Sequence, residues 1–357
     1  MIKDEAFEDK LLQVLRKVAP GTPLRDGLEN ILKAKTGALI VIADRPSVLE
    51  IAEGGFGINA DFTPASLYEL AKMDGAIILS EDTKRIIAAN TQLIPDLVIP
   101  STETGIRHRT AERVAKQTGA LVISISQRRG VITLYKGNLK YVLREIGVIL
   151  TKANQAIQTL EKYRSVLDQV ILELSILEFE GNVTLYDVCR VIQRLEMVLR
   201  VVKEIERYIS ELGTEGRLIT MQMDELVVNV ETDGILIIQD YASDIEKPPE
   251  HILDIINSWP AEDLLDLVLI ARALGYSGSQ SILDENVTPK GYRLLRKIPR
   301  LPVPVIDNLV NTFETLPKIL NASIEQLDDV EGIGEVRARS IKDGLCRYRD
   351  KLLQDRI

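Results

Sequence analysis

From about residue 150 to residue 212 the apolar side chains recur every seven residues, and nothing else in the chain limits its folding so tightly. Leu160, Leu167 and Leu174 hold one seam position, and Tyr163, Val170 and Leu177 hold the other. This spacing keeps one stripe of a long helix turned toward a neighbour. Glu180-Gly181-Asn182 breaks the pattern, and a second stripe follows through Leu185, Val188, Ile192, Leu195, Leu199, Val202 and Ile209. Two long helices folded back as an antiparallel hairpin are expected. Packing within a bundle and an intermolecular coiled coil fit the stripe equally well. Either way the hairpin divides the chain into a head and a tail.

The 357 residues exceed one ordinary core and suit two or three domains. A net charge of −9 argues against a protein that coats nucleic acid with its whole surface, because such affinity comes from neutralised phosphates. Any DNA contact must be local. Cys189 and Cys346 cannot make a disulfide framework and read as small buried apolar side chains, while His108 and His251 alone give no zinc-ligand spacing. Met1-Ile2-Lys3-Asp4-Glu5 lacks a signal-peptide core, and no uncharged stretch is long enough to span a bilayer. A soluble cytoplasmic protein is expected.

In the head, residues 1–145, short apolar runs bounded by turn residues alternate with helical patterns. Gly37–Ala43, Gly75–Ser80, Arg85–Ala89, Ala120–Ile125 and Val131–Tyr135 read as strands of one largely buried mixed sheet flanked by helices, an α/β domain. Pro64–Lys72 and Thr110–Thr118 read as helices, the second with Thr110 as its N-cap and Gly119 just past its end. Residues 146–290 form the all-α spine and linker. There Leu226–Val230 and Gly234–Ile238 look strand-like, a helix is expected around Ala261–Leu274, and Glu246-Lys247-Pro248-Pro249 reads as a linker.

The tail, residues 291–357, carries a degenerate repeat. Ile298-Pro299-Arg300-Leu301-Pro302 aligns with Val330-Glu331-Gly332-Ile333-Gly334, and an apolar helix follows each copy. Gly332 and Gly334 let backbone approach a phosphate, and the next helix points its N-terminal amides at it. Arg337, Arg339, Lys342, Arg347 and Arg349 add positive charge. Arg300 and Pro302 replace the glycines in the first copy, so packing is its expected job. The tail resembles a tandem helix-hairpin-helix domain, a module that grips duplex DNA by its backbone.

Two short motifs in the head carry chemistry. Asp74-Gly75 delivers a lone carboxylate at the turn into a strand, and Gly105-Ile106-Arg107-His108-Arg109-Thr110 sets basic side chains and free amides at the approach to a helix, an anion site. The flanking positive charge disfavours the His108 imidazolium. Asp74-Gly75-Ala76 and Arg107-His108-Arg109 with Thr110 resemble the two signature motifs of the diadenylate cyclase domain. Their order, upstream of a helical spine and a helix-hairpin-helix tail, resembles the bacterial DNA integrity scanning family over essentially the whole chain.

That resemblance implies condensation of two ATP molecules into cyclic di-AMP with release of two pyrophosphates. It implies Mg2+ or Mn2+ held by Asp74, a homo-octamer with active sites paired face to face, and inhibition by branched DNA such as Holliday junctions, in the cytoplasm at the nucleoid. Asp74, Arg107, His108 and Arg109 then have catalytic roles. Gly75, Leu93, Ile106, Thr110, Ser126 and Arg128 contact the nucleotide with them, and Gly332, Gly334, Arg337, Arg339 and Lys342 contact DNA. The alternative is an ATP-sensing, DNA-binding module without turnover. The chain has neither the carboxylate cluster of a two-metal nuclease nor the lysine motif of a ligase.

Overall fold

The computed structural model describes residues 2–243 and 248–354. It separates into two compact units. One runs to Asn154 and takes in Glu206–Thr220, and the other comprises Gln155–Ile205 and the chain from Met221 onward.

In the first unit α1 (Ile2–Lys17) and α2 (Pro23–Lys33) lead into β1 (Ala38–Ile42), α3 (Pro46–Leu49), β2 (Ala52–Glu53), β3 (Phe56–Asp61) and α4 (Pro64–Leu70). There follow β4 (Ala76–Leu79), β5 (Arg85–Leu93), α5 (Ile106–Thr118), β6 (Leu121–Ser126), β7 (Val131–Lys136) and β8 (Leu139–Val142). The strands make one sheet in the order β2-β5-β4-β1-β6-β7-β8, with β3 also paired to β5. Only β1 and β4 run parallel, so the sheet is mixed, as the sequence implies.

Alternate side chains leave the sheet toward opposite layers. Ile40, Ile42, Ile77, Leu79, Ile123 and Ile125 pack with Leu15, Leu28, Ile31 and Leu67 of α1, α2 and α4. Leu39, Val41, Ala76, Ile78, Val122 and Tyr135 pack with Val48 of α3 and Ala111, Val114 and Ala115 of α5. Because both faces are covered, the central strands read as unbroken apolar runs. β5 extends past the expected Ala89 to Leu93, and β2, β3 and β8 carry no such run: β3 is exposed along most of its length.

α6 (Ile146–Glu180) and α7 (Leu185–Leu212) are the two expected long helices, and the Arg190–Glu173 ion pair at 2.9 Å ties their facing ends across the turn. Leu160, Leu167, Val170 and Leu174 are buried on the seam, while Tyr163 is 39% exposed at its margin. Neither strand-like stretch is a strand: Val227, Val228 and Asn229, the last at φ +61°, form the turn between α8 (Arg217–Leu226) and α9 (Val230–Tyr241), and Gly234–Ile238 lies within α9. Val230, Gly234, Ile237, Ile238 and Tyr241 are buried at helical spacing, and Gly234 admits Leu195, whose Cδ1 would lie 2.5 Å from an added Cβ. Tertiary packing overrides the β-branched composition.

Of the expected linker, Glu246-Lys247 lies outside the described residues, and Pro248-Pro249 opens α10 (Pro249–Asn257). The helix expected around Ala261 to Leu274 is shorter: Asp266 caps α11 (Leu267–Ala273) by accepting from the Val268 amide at 2.9 Å.

The tail comprises α12 (Tyr292–Arg296), α13 (Val303–Phe313), α14 (Leu316–Asn321), α15 (Ile324–Asp328) and α16 (Glu335–Gln354) around Leu294, Ile298, Ile306, Leu309, Leu327, Ala338 and Ile341. Asp240 of α9 seats α12. Its carboxylate accepts from the amides of Gly291, Tyr292 and Arg293 at 2.8, 2.6 and 3.0 Å. Buried Arg293 donates to Ser175 at 3.1 Å and to Glu178, which also accepts from the Tyr241 hydroxyl at 2.8 Å. Cys189 is buried but Cys346 is exposed, contrary to expectation, because the buried stripe of α16 runs through Ile341 and Leu345 and the next residue turns about 100° away.

Candidate active site

Asp74 and Gly75 occupy the turn into β4, with Gly75 at φ +89°. A Cβ there would lie 2.8 Å from the Asn90 carbonyl carbon and 3.0 Å from the Thr91 nitrogen and oxygen, all β5 backbone. Glycine is thus what lets the Asp74 turn lie flat on the neighbouring strand.

The other wall is the start of α5. The helix begins at Ile106 with Gly105 as N-cap, not at the expected Thr110, so Arg107, His108 and Arg109 form its first turn and Thr110 lies inside it. Gly105 takes the extended conformation of the cap, and its carbonyl accepts from the Arg109 amide at 2.9 Å. First-turn amides and the helix dipole therefore face the cleft, a stronger anion site than a loop preceding a helix. The segment leading in is strapped to α5: Glu112 accepts from Ser101 Oγ at 2.5 Å and the Thr102 amide at 3.1 Å, and Arg113 donates to the Ile99 carbonyl at 2.9 Å.

A cleft of about 1040 Å³ lies between these walls, room for a nucleotide triphosphate. Asp74, Gly75, Leu93, Ile106, Arg107, His108, Thr110, Ser126 and Arg128 all line it, with Asn90, Thr91 and Gln127 beside them. Arg109 does not line it; its guanidinium donates to the Thr104 carbonyl at 3.1 Å. Gly37, silent in the sequence, leaves the space into which Arg107 Nη1 reaches.

Behind the cleft runs a polar chain that the motifs do not reveal. Lys140 lies 2.5 Å from Glu103 Oε1, Tyr135 donates to the same oxygen at 2.8 Å, and Tyr135 Oη stands 3.0 Å from His108 Nδ1. Burial acts to raise the Glu103 carboxyl, but the hydrogen bonds from Lys140 and Tyr135 outweigh it and hold it below the usual carboxylate range. Burial is also the first cause that lowers His108; Glu103 opposes it, and Arg129, Lys140 and Arg107 add to it. The ring is neutral, as the flanking charge suggests, though mainly through desolvation.

No group of three or more Asp, Glu, His or Cys side chains that could cage a metal occurs among the described residues. The cleft offers one carboxylate, Asp74, and this suits a hard cation that takes its remaining ligands from phosphate oxygens and water.

In the tail, Gly332 sits at φ +83° and Arg300, its counterpart in the first copy, at φ +62°. Both hairpins therefore make the same turn, despite the missing glycines. Arg337 donates to the Gly332 carbonyl, Arg339 pairs with Glu335 at 2.5 Å, and Lys342 donates to the Leu320 carbonyl at 3.1 Å. Arg300, Arg339 and Arg347 line a groove of about 790 Å³ between the first hairpin and α16; Lys342 and Arg349 do not.

An α/β head whose cleft joins a lone carboxylate to a basic helix N-terminus, with a helix-hairpin-helix tail, defines a nucleotide-binding protein with a DNA-binding module. Three family models match along the chain. They are "DisA bacterial checkpoint controller nucleotide-binding" over residues 25–139, "DisA bacterial checkpoint controller linker region" over 143–283 and "Helix-hairpin-helix motif" over 315–344. The chain is 66% identical over 345 residues to the DNA integrity scanning protein DisA of Carboxydothermus hydrogenoformans, covering 96% of this chain and 98% of that one. It is 57% identical over 352 residues to the protein of that name from Acetivibrio thermocellus, covering 99% and 98%. The chain belongs to the DNA integrity scanning protein DisA family. Its head is a diadenylate cyclase domain, and the chain is a nucleotidyltransferase. No helix of the described residues is long and apolar enough to cross a membrane.

Proposed function

We propose that the chain condenses two ATP molecules into cyclic di-AMP and two pyrophosphates, and that branched DNA such as a Holliday junction, held by the tail, lowers this activity. The observation that carries the reading is the meeting of Asp74 and the first turn of α5 across one cleft. In each half-reaction the 3′-hydroxyl oxygen of one nucleotide attacks the α-phosphorus of the other. A phosphodiester bond forms as the hydroxyl gives up its proton to water, the bond from the α-phosphorus to the bridging oxygen breaks, and pyrophosphate leaves with that electron pair. Arg107 and the amides of Ile106, Arg107 and His108 offset the charge on the phosphates, while Thr110 and Arg128 supply further hydrogen bonds. Arg109 acts less directly, holding the carbonyl of Thr104 beside the cap.

Mg2+ or Mn2+, held by Asp74 with phosphate oxygens, would supply Lewis-acid polarisation and lower the pKa of the attacking hydroxyl. One cleft holds one nucleotide, so two must meet face to face, and this proximity is worth up to about 7–11 kcal/mol of barrier. An apolar margin supports such a meeting: Ile106 at the cleft is 83% exposed, and Leu97 and Val98, on the segment strapped to α5, are 77% and 86% exposed. A homo-octamer built from such pairs, working in the cytoplasm at the nucleoid, completes the reading. The test is Asp74→Asn. Pyrophosphate release should fall to background in the folded variant, and four-way junction DNA should slow the parent. Unchanged release from the variant removes Asp74 from this role, and a parent indifferent to junction DNA removes the inhibition.

A further inference from the structure

The Lys140–Glu103–Tyr135–His108 chain contains enough hydrogen-bonding information to fix where the imidazole proton sits. An ionised carboxylate can only accept, so the Tyr135 hydroxyl hydrogen is committed to Glu103 Oε1 at 2.8 Å. Tyr135 Oη can then only accept from the ring 3.0 Å away, which requires the hydrogen on His108 Nδ1. The neutral ring consequently bears its lone pair on Nε2. That nitrogen is enclosed and has no hydrogen-bond partner among the described residues, and an enclosed acceptor left unpaired is costly. The ring lines the nucleotide cleft, so whatever fixes its proton and its orientation acts on the site.

We propose that Tyr135 and Glu103, backed by Lys140, are positioning residues for cyclisation: they lock His108 in the Nδ1–H tautomer and in the orientation by which its ring lines the cleft. The sheet supplies the rigidity this needs. Tyr135 of β7 and Lys140 of β8 are directly paired across the hairpin, which places both side chains on one face, and Tyr135 is 1% exposed in the layer beneath α5. The ring of Tyr135 also meets the imidazole edge to face at 6.3 Å, so packing and hydrogen bonding fix the same orientation.

The proposal rests on the cyclase reading, and its test separates the two. Tyr135→Phe in the full-length chain keeps the ring and removes only the hydroxyl. The expected result is a kcat about 10–100-fold lower, the usual cost of removing a group that orients an active-site ligand, with KM for ATP changed by less than about 3-fold. Made in a His108→Ala background, the same change should leave the residual rate within about 2-fold, because the hydroxyl acts through the imidazole. An equal loss in both backgrounds would assign Tyr135 a purely structural role and overturn the proposal. The tautomer is read without turnover by solid-state nitrogen NMR of chain labelled at histidine, where only His108 and His251 contribute. The parent should show a protonated Nδ1 and bare Nε2 at His108, a preference lost in Tyr135→Phe. A protonated Nε2 in the parent sinks the proposal whether or not the chain makes cyclic di-AMP, whereas a parent without turnover but with the stated tautomer sinks only the cyclase reading.

Discussion

Replacing Gly75 by alanine separates two effects that a glycine at an active-site turn combines. The first is conformational: at φ +89° an L-residue is strained by roughly 1–2 kcal/mol. The second is steric, since the new methyl lies 2.8 Å from the Asn90 carbonyl carbon and 3.0 Å from two Thr91 atoms, and backbone in a paired strand cannot rotate away. Relieving such contacts costs about 1–3 kcal/mol. Gly119, the left-handed cap of α5 at φ +70°, provides the control because an added Cβ there meets nothing within 4 Å. Gly119→Ala carries the strain alone, and the loss of unfolded-chain entropy, roughly 0.4–1 kcal/mol in favour of alanine, is common to both. The difference between the variants therefore isolates the steric contribution. In a unit of this size about 1 kcal/mol moves the midpoint by 2–4 °C, so Gly75→Ala should melt roughly 2–12 °C below Gly119→Ala. Activity should separate them further. The collision pushes the Asp74 turn off β5, and a displacement near 1 Å at a reacting centre can cost about 100-fold in rate. Thermal unfolding and pyrophosphate release at saturating ATP, measured on both variants, decide the matter. If the two melt together and Gly75→Ala keeps most of its rate, close approach to β5 is not why glycine stands beside Asp74.

Three further outcomes concern the second unit. Arg293→Met strips the buried cation that donates to Glu178 and should destabilise this unit by about 3–5 kcal/mol, as uncompensated buried charges do, with partial recovery when Glu178→Gln is added. Burial raises both Glu178 and Asp240, the latter to about 7 with the Glu178 charge adding to it. Both carboxyls thus bind protons more tightly in the folded chain, so their contribution is full below about pH 4 and fades as pH rises, for Asp240 through about 7. Urea midpoints across that window should fall, and a flat profile refutes the linkage. In the tail, Arg300→Gly removes the strain of a non-glycine at φ +62° and should stabilise the fold by about 1 kcal/mol. It also removes a guanidinium from the groove, and the slope of log affinity for duplex DNA against log salt should drop by about 1. An unchanged slope takes Arg300 out of the DNA contact.

What could be read in the chain beforehand depended on whether the signal was local. The long helices and the five central strands announce themselves because each buries its own stripe or faces over consecutive residues, and the two halves of the cleft announce themselves because Asp74-Gly75 and Arg107-His108-Arg109 are contiguous. α9 is masked by its β-branched residues because its helical character is settled by partners such as Leu195 packing on Gly234. α5 starts four residues before Thr110 because threonine and glycine cap about equally well on composition alone, and the segment strapped down by Glu112 and Arg113 decides between them. The groups behind His108 were closer to legible. Gly137-Asn138 between two β-prone runs is a two-residue hairpin signal, and once that turn is accepted the register follows: Lys136 opposite Leu139 and Tyr135 opposite Lys140. Two polar-tipped side chains then share a face, and the buried one, Tyr135, needs an acceptor. What no local rule supplies is that the acceptor is Glu103, two residues before the cap of α5, because that meeting depends on how the helix packs over the sheet. The motifs mark the two walls of the cleft, and the groups behind them are set by sheet register and helix docking.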